Sequence, residues 1–217
     1  MLTLNLSPRP GQPLRLLALG AHSDDIEIGA GGTILRLLKE HRRVEVCWVA
    51  FCATPLRRQE AEDSAAAFLR PAAKRIIIVK DFRDGFFPFI GAEIKDYFEE
   101  LKRQFTPDVV FTHFRSDRHQ DHRTISDLTW NTFRNHLILE YEIPKYDGDA
   151  GQPNFFIPLS KTICQKKLKL LRQGFPSQRD NHWFTDETFR SLLRLRGIEC
   201  NSPSGYAEAF HCRKVVI

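Results

Sequence analysis

The stretch LRLLALGAHSDD, from Leu14 to Asp25, joins a continuous apolar run to a polar cluster. The apolar part, Leu14 to Ala21, has the composition of a strand that is buried on both faces of a parallel sheet. Glycines then occur between Gly29 and Gly32, and apolar side chains recur at helical spacing from Ile34 to Leu38. The stretch therefore predicts a strand, a polar turn and a helix, in that order.

Short apolar runs and segments of helical periodicity alternate along the rest of the chain. This alternation predicts right-handed βαβ crossovers and a single-domain α/β protein with a Rossmann-like three-layer fold and a mostly parallel β-sheet. No long linker divides residues 1–217, and residues 1–13 are expected to form an N-terminal leader segment. The predicted strands are Val44 to Phe51, Arg75 to Val79, Asp108 to Thr112, Leu137 to Ile143, Phe155 to Leu159 and Tyr206 to Ile217, and the predicted helices are Arg57 to Leu69, Ile94 to Phe105, Arg123 to Asn135, Lys161 to Arg172 and Asp186 to Leu195.

The composition is that of an ordinary globular protein. Apolar residues make up 42% and charged residues 27% of the chain, which argues against disorder and against fibrous designs. Lys and Arg exceed Asp and Glu by 32 − 27 = 5, which favours an anionic small molecule through long-range attraction. The basic residues are scattered except around Lys161 to Arg172, so a nucleic-acid partner is not expected.

Cysteine usage and the N-terminal segment bear on the cellular compartment. The five cysteines form no CxxC pair and are odd in number, so a reducing cytoplasm is expected rather than a disulfide framework. Met1 to Pro13 contains no long apolar run and has the character of neither a signal peptide nor a membrane anchor. No other apolar run is long enough to span a bilayer, so no membrane-spanning segment is expected.

Polar clusters follow three of the predicted strands. His22 to Asp25 follows the first strand, Asp81 to Asp84 the third, and Asp117 to His122 the fourth. Ligands of an open parallel sheet bind in the crevice beyond the carboxyl ends of its strands. Two of these clusters combine imidazole and carboxylate groups, and their convergence would supply a His/Asp/His set of the kind that binds a catalytic metal ion.

The glycines between Gly29 and Gly32 allow a rival interpretation as a dinucleotide-binding loop. Such a loop needs glycines directly at the strand-to-helix turn, so that backbone amides can approach a pyrophosphate. The residues at that turn, His22 to Glu27, instead include three carboxylates, which would repel phosphate and attract a cation. The glycines are therefore expected to let the following helix pack closely on the sheet.

Two segments resemble the signatures of a known family. AHSDDIEIGAGG, at Ala21 to Gly32, resembles the AHPDDxE-type signature of the LmbE/PIG-L family of zinc-dependent N-deacetylases. DRHQDHRTI, at Asp117 to Ile125, resembles the second signature of that family, DxHxDH. Weaker matches extend the resemblance over almost the whole chain after Pro13, and they lie at Arg57 to Leu69, Arg83 to Gly85, Ser177-Gln178 and Tyr206 to Phe210.

The resemblance implies a zinc site with one open coordination position. Three protein ligands leave room for a water molecule, which is the catalytic rather than the structural arrangement. Nitrogen and oxygen donors suit zinc, and ferrous iron or cobalt could occupy the same site. The positions that match the zinc ligands of the family are His22, Asp25 and His122.

The resemblance also implies how an acyl group is removed. Asp24 matches the general base that takes a proton from water and could later pass it to the departing amine. His119 matches a group that stabilises the tetrahedral oxyanion, and Asp121 would orient His119. The expected reaction is hydrolysis of the N-acetyl group of an amino sugar such as N-acetylglucosamine, either free or linked to a nucleotide, lipid or other aglycone.

Four further side chains each leave two interpretations open. Arg58 either contacts the substrate or is a solvated residue at a helix start. Asp84 either binds substrate hydroxyls or belongs to an ordinary Arg-Asp-Gly turn. His113 is either a packed or solvated loop histidine or a group that faces the ligand, and Glu208 either lines the pocket or pairs with an arginine.

Two positions depart from the family pattern, since Ser23 replaces the usual proline and Phe175 stands where a polar residue or histidine is frequent.

The alternatives to an amino-sugar deacetylase are an amidase for non-sugar amides and an inactive metal- or carbohydrate-binding protein. Asp24 argues against an inactive protein, because a pure binder needs no base beside its ligands. YAEAF resembles a closing segment of the glycan-related bacterial members of the family, which implies bacterial glycan biosynthesis, and such relatives are often homo-oligomers.

Overall fold

The computed structural model describes residues 3–8 and 10–216, and in these residues a central sheet has helices on both faces. The stretch from Leu14 to Asp25 forms a strand, a turn and a helix start, as its sequence predicts. In chain order the elements are β1 (Leu14–Gly20), α1 (Asp25–Glu40), β2 (Val44–Ala50), α2 (Pro55–Phe68), β3 (Lys74–Val79), α3 (Gly91–Gln104), β4 (Val109–His113), α4 (Gln120–Thr132), β5 (Leu137–Tyr141), β6 (Phe155–Pro158), α5 (Lys161–Gly174), α6 (Asp186–Glu199) and β7 (Ala207–Cys212), with single 3₁₀ turns at Phe87–Phe89 and Pro176–Gln178.

The described strands form one seven-stranded sheet in the order β3-β2-β1-β4-β5-β7-β6. The strands from β3 to β5 in this order are parallel, whereas β7 runs antiparallel to both β5 and β6. The predicted single-domain α/β fold with a mostly parallel sheet is therefore confirmed. Because β1 pairs with β2 on one side and β4 on the other, the carboxyl ends of β1 and β4 adjoin.

The apolar run of β1 is continuous because both faces of the strand are covered. Leu16 and Ala18 pack in the core beneath α1, α5 and α6, whereas Leu17 and Leu19 pack in the core beneath α3 and α4. Successive side chains of a strand point to opposite faces of the sheet, so each residue of the run enters one of the two cores. The sheet therefore lies between two layers of helices, with one apolar core on each of its faces.

The glycines of α1 permit close approach to neighbouring side chains, as their position after the first polar cluster predicts. A Cβ atom on Gly29 would lie 2.2 Å from Cδ2 of Tyr141, which belongs to β5. A Cβ atom on Gly32 would lie 2.8 Å from Oε1 of Glu208, which belongs to β7. The absence of side chains here seats α1 against the sheet and thereby fixes its first residue, Asp25.

A buried ion pair supports the middle of α1. Nζ of Lys167 lies 2.5 Å from Oε1 of Glu208 and donates to the backbone oxygen of Ile28, also at 2.5 Å. The Glu208 carboxylate accepts the backbone N–H groups of Gly32, at 2.8 Å, and Thr33, at 2.6 Å. Of the two interpretations left open for Glu208, the structure supports ion pairing, but the partner is a lysine and not an arginine.

The two ends of the chain differ in part from expectation. The described part of the expected leader, residues 3–8 and 10–13, contains no helix or strand, and residues 1, 2 and 9 lie outside the description. The last strand ends at Cys212, five residues before the predicted end at Ile217, which also lies outside the described residues. Among the described helices, none combines the length and apolar character that a membrane crossing requires.

Candidate metal centre and catalytic site

The three polar clusters share one crevice at the carboxyl edge of the sheet. The turn after β1 lies beside the segment after β4 because these strands are neighbours. The cluster after β3 joins them, since Oδ1 of Asp84 lies 3.1 Å from Nε2 of His22. This edge is where an open parallel sheet binds its ligands.

His22, Asp25 and His122 direct their donor atoms towards one another. Nδ1 of His22 lies 3.2 Å from Nε2 of His122 and 3.4 Å from Oδ2 of Asp25. Nε2 of His122 lies 3.6 Å from Oδ1 of Asp25. Asp25 and His122 are buried, and His22 is partly exposed, so the cluster opens to solvent on the His22 side.

The two imidazole nitrogens are spaced as two ligands of one tetrahedral metal ion, and each lies near one oxygen of Asp25. Ligand bonds of about 2.0–2.2 Å at tetrahedral angles place donor atoms about 3.3–3.6 Å apart. Asp25 presents a different carboxylate oxygen to each imidazole, so both oxygens border the same space. Neighbouring side chains widen the donor set, and the groups whose ligand atoms lie within 4.8 Å of one another are His22 with His119 and His122, Asp25 with His113 and His122, and His22 with Asp84 and Asp121.

His122 is held in one orientation by Asp117. Nδ1 of His122 donates to Oδ2 of Asp117 at 2.9 Å, which leaves Nε2 as the unprotonated nitrogen that faces the cluster. Lys145 contacts the same oxygen at 3.0 Å, and the His119 backbone N–H donates to Oδ1 at 2.8 Å. Burial alone would raise the pKa of Asp117, but its bond to His122 and the nearby imidazoles hold it below its usual value.

Asp24 is buried at the turn that precedes α1, and its partner is Arg57. Oδ2 of Asp24 lies 3.1 Å from Nη2 of Arg57, at the start of α2. Burial raises the pKa of Asp24, and the positive charge of Arg57 opposes this rise. Glu60, one turn further along α2, accepts the backbone N–H of Ser177 at 2.8 Å and so ties α2 to the segment after α5.

The described contacts of Arg58 favour the solvated one of its two interpretations. The Arg58 guanidinium donates to the backbone oxygen of Val79 and lies 3.9 Å from the carboxylate of Glu62, with more than a third of its side chain exposed. Arg57 enters the crevice instead, because it precedes the buried positions Glu60 and Ala61 by three and four residues. Helical periodicity was the signal that could have identified it.

His119 stands at the start of α4, next to the two other site histidines. The centroid of its ring lies 4.9 Å from that of His22 and 4.6 Å from that of His122. Burial and the nearby His22 lower the pKa of His119. Its Nδ1 accepts the backbone N–H of Asp121 at 3.3 Å, which places the ring proton on Nε2, where it is available to a ligand.

The expectation that Asp121 orients the His119 ring needs correction. The Asp121 carboxylate accepts the backbone N–H groups of Gly85, at 2.7 Å, and Phe87, at 3.1 Å. Its Oδ2 also lies 3.4 Å from Nε2 of His22. Among the described contacts, only the backbone of Asp121 reaches His119, so the side chain anchors the loop after β3 instead.

Asp84 projects from that anchored loop to the rim of the crevice. Its side chain is 69% exposed, although Oδ1 lies 3.1 Å from Nε2 of His22. The bond to His22 lowers the pKa of Asp84 below its usual value. The turn at Gly85 has φ +76, a conformation that suits glycine, and this turn directs Asp84 towards the metal ligands.

His113 lies beneath the candidate metal ligands and not in a loop. It is the last residue of β4 and is completely buried, with Nε2 3.2 Å from Oδ2 of Asp25. Of the two interpretations left open, the packed one describes its burial, but its contact with Asp25 also joins it to the site. Sequence reasoning also passed over Asp117 and Lys145, and the turn-rich segment around Lys145 offers no local signal of its contact with Asp117.

Comparison with solved structures shows the same fold in several proteins. A conserved protein from Thermus thermophilus is 22% identical, with 94% of this chain and 96% of that chain covered and a TM-score of 0.73. The N,N'-diacetylchitobiose deacetylase from Pyrococcus horikoshii is 21% identical, with coverages of 92% and 83% and a TM-score of 0.68. The 4-carboxy-2-hydroxymuconate hydratase from Pseudomonas putida is 15% identical, with coverages of 94% and 98% and a TM-score of 0.69. At these identities the likeness establishes the fold and not the reaction.

A family model gives a more specific result. The model described as PIG-L, GlcNAc-PI de-N-acetylase, matches residues 17–133. This range runs from β1 to the end of α4 and includes all three polar clusters. Because the match covers 133 − 17 + 1 = 117 of the 217 residues, the chain belongs to the GlcNAc-PI de-N-acetylase (PIG-L) family.

Proposed function

We propose that this protein is a zinc-dependent hydrolase that removes the N-acetyl group of an amino sugar or amino-sugar conjugate. The observation that carries the proposal is the pairing of two features in one crevice. One is the triad of His22, Asp25 and His122, whose donor atoms lie 3.2–3.6 Å apart. The other is the buried carboxylate of Asp24, which no metal-binding role requires. Family membership and the deacetylase among the solved relatives support the same reaction.

His22, Asp25 and His122 would hold the metal ion. Zinc bound there would supply a Lewis acid that lowers the pKa of water to about 7 and polarises an amide carbonyl. Asp117 fixes the His122 ring so that Nε2 faces the ion. The buried backbone turn fixes Asp25, because the His22 backbone N–H donates to Oδ2 of Asp25 at 2.6 Å.

Asp24 would act as the general base and then as the general acid. Adjacent side chains leave a turn in different directions, so Asp25 can bind the ion while Asp24 addresses the water and the substrate. The Asp24 carboxylate takes a proton from the attacking water and later delivers it to the amine nitrogen as the carbon–nitrogen bond breaks. Arg57 holds the carboxylate in place for both transfers.

His119 would stabilise the negative charge that develops on the acetyl oxygen. Its Nε2 proton is available because Nδ1 is engaged by the Asp121 backbone. A neutral imidazole donor at this position needs no further proton from solvent, which agrees with the lowered pKa of His119.

The rim of the crevice offers groups that could bind sugar hydroxyls. Asp84 is exposed and anchored within reach of the metal ligands, so its free oxygen can accept a hydroxyl proton. Ser177, held by Glu60 through both its backbone N–H and its hydroxyl, borders the opposite side near Arg57. These polar groups flank the reacting centre as an amino-sugar ring would require.

The proposal is tested by acetate release from a panel of N-acetylamino sugars in free, nucleotide-linked and simple aglycone-linked forms. The wild-type protein loaded with zinc should release acetate from at least one member, and chelation should abolish release until zinc is restored. Asp24→Asn should lower kcat by about 100- to 10,000-fold while zinc remains bound. The matched control is Asp63→Asn, since Asp63 is exposed on the neighbouring helix α2.

Two results would contradict the proposal. Release from no member of the panel, with zinc confirmed on the protein, would exclude an amino-sugar deacetylase and favour an amidase for other amides. A wild-type rate in the Asp24→Asn variant would remove Asp24 from the mechanism.

A further inference from the structure

His113 contacts two of the candidate metal ligands from the interior side. Its Nε2 lies 3.2 Å from Oδ2 of Asp25. Its ring lies against the ring of His122, with the centroids 3.9 Å apart and the planes inclined by 16°. His113 is completely buried, so these contacts are made away from solvent.

His113 is itself held in place by contacts from the two strands that flank β4. The backbone N–H of Ala21, directly after β1, donates to Nε2 of His113 at 2.9 Å. The hydroxyl of Tyr141, on β5, lies 3.3 Å from the same nitrogen and donates to the backbone oxygen of Leu19 at 2.6 Å. Tyr141 can occupy this position because Gly29 of α1 has no side chain. The His113 imidazole is therefore packed and hydrogen-bonded on the buried side of the candidate metal site.

The hydrogen bonds decide whether His113 binds the ion or supports the residues that do. Asp25, His113 and His122 have ligand atoms close enough to bind a metal ion by themselves. The lone pair of Nε2, however, already accepts the Ala21 N–H, and a ring nitrogen has only one lone pair. The second ring nitrogen, Nδ1, is buried and has no hydrogen-bond partner among the described residues. It is not the nitrogen that lies near Asp25.

We propose that His113 is a positioning residue of the metal centre, which holds the His122 ring by stacking and holds the turn that carries Asp25 through the Ala21 N–H, without binding the ion. This inference rests on the proposed function only in requiring that the triad bind a divalent metal. Groups that orient metal ligands from outside change metal affinity by about 10- to 100-fold when they are removed. His113 meets both ligands from the completely buried end of β4, so its loss would free the two of them together.

The test measures zinc affinity by competition with a chromophoric chelator, together with the absorption spectrum of the cobalt-substituted protein. His113→Phe keeps a flat ring against His122 but removes the acceptor of the Ala21 N–H, which fixes the turn that carries Asp25. We expect it to raise the zinc Kd by about 10- to 100-fold, with the cobalt spectrum still that of a three-ligand protein site. The matched control is His211→Phe, because His211 also stacks on an aromatic ring, Phe114 at 3.7 Å, but contacts no member of the triad.

A second variant keeps the test decisive if His113→Phe does not fold. His113→Gln retains an acceptor for the Ala21 N–H but has no ring to pack on His122, and we expect its zinc Kd to rise by about tenfold. An unchanged Kd in either folded variant overturns the inference, as does an equal rise in His211→Phe. A cobalt spectrum that shows the loss of a ligand would make His113 a ligand instead. If the wild-type protein binds neither zinc nor cobalt, the proposed function fails and the inference fails with it.

Discussion

Arg57 and Asp24 form an ion pair within the crevice, with Nη2 of the guanidinium 3.1 Å from Oδ2 of the carboxylate. Both side chains are largely removed from solvent, and the guanidinium lies over the ring of Phe175, 5.4 Å from its centroid. Phe175, which stands where the family often has a polar residue or histidine, is completely buried and packs against the Arg57 guanidinium. The pair therefore fixes the proposed base through a contact that involves none of the candidate metal ligands.

Replacing Arg57 should impair catalysis far more than replacing Arg58. Arg57→Ala removes the charged partner of Asp24, and a hydrogen bond to a charged group contributes about 1.5–3 kcal/mol, so kcat/KM should fall by about 10- to 100-fold. Arg58→Ala removes a side chain that contacts Val79 and Glu62 outside the crevice, and we expect a change of less than about threefold. Acetate-release kinetics of the two variants test this. Equal losses would restore Arg58 as a site residue.

Replacing Asp121 should release the loop after β3. Asp121→Ala removes the acceptor of the Gly85 and Phe87 backbone N–H groups, so both amides should exchange hydrogen faster with solvent. Asp127→Ala, on the exposed face of the same helix, is the control. Hydrogen exchange followed by mass spectrometry measures both variants. Unchanged protection at Gly85 and Phe87 would show that the carboxylate does not anchor the loop.

The fold was predictable because its signal is local. The run from Leu14 to Ala21 requires a strand covered on both faces, and the alternation that follows requires parallel crossovers. The convergence of the candidate metal ligands was predictable for the same reason, since each lies in a short polar segment at a strand end. The start of α4 was missed by three residues, because His119 caps the helix at Gln120 with a ring nitrogen and this cap has no usual sequence signature.

The contacts that support the ligands were less accessible to sequence reasoning. The Asp121 carboxylate binds the backbone of Gly85, which lies 36 positions earlier in the chain, and a short motif carries no signal of such a contact. The motif alone suggested His119 as the partner of Asp121. The contact of His113 with Asp25 joins the end of β4 to the start of α1, and no short pattern encodes it. The choice between Arg57 and Arg58 is the one that the sequence could have settled, because Arg57 lies on the same face of α2 as the buried residues Glu60 and Ala61.

The Lys167–Glu208 pair should be essential for stability. Lys167→Met would leave the Glu208 carboxylate buried without a cation, which should lower the free energy of unfolding by about 3–5 kcal/mol. Lys166→Met is the control, because Lys166 is the adjacent residue and is exposed. The double variant Lys167→Met with Glu208→Gln should recover part of the loss, since the buried charge is gone. Urea unfolding measures all three, and equal stabilities of Lys167→Met and Lys166→Met would contradict the prediction.

Acidification should destabilise the protein in part through His211. Burial lowers the pKa of His211 to about 4, and the charges of Arg196 and Arg213 act in the same direction. The unfolded chain protonates this imidazole near pH 6.5, so between pH 6.5 and 4 only the unfolded state gains the proton. The free energy of unfolding must therefore fall as pH falls through this window.

His211→Phe removes the titrating group and keeps the stacking partner of Phe114, so it should lose less stability than the wild type between pH 7.5 and 5. Because the imidazole is only about half buried, we expect the difference between the two proteins to be about 1 kcal/mol. Urea unfolding at both pH values measures it, with His182→Phe as the control at an exposed histidine. Acid sensitivity that is identical in His211→Phe and the wild type would mean that other buried groups account for the whole effect.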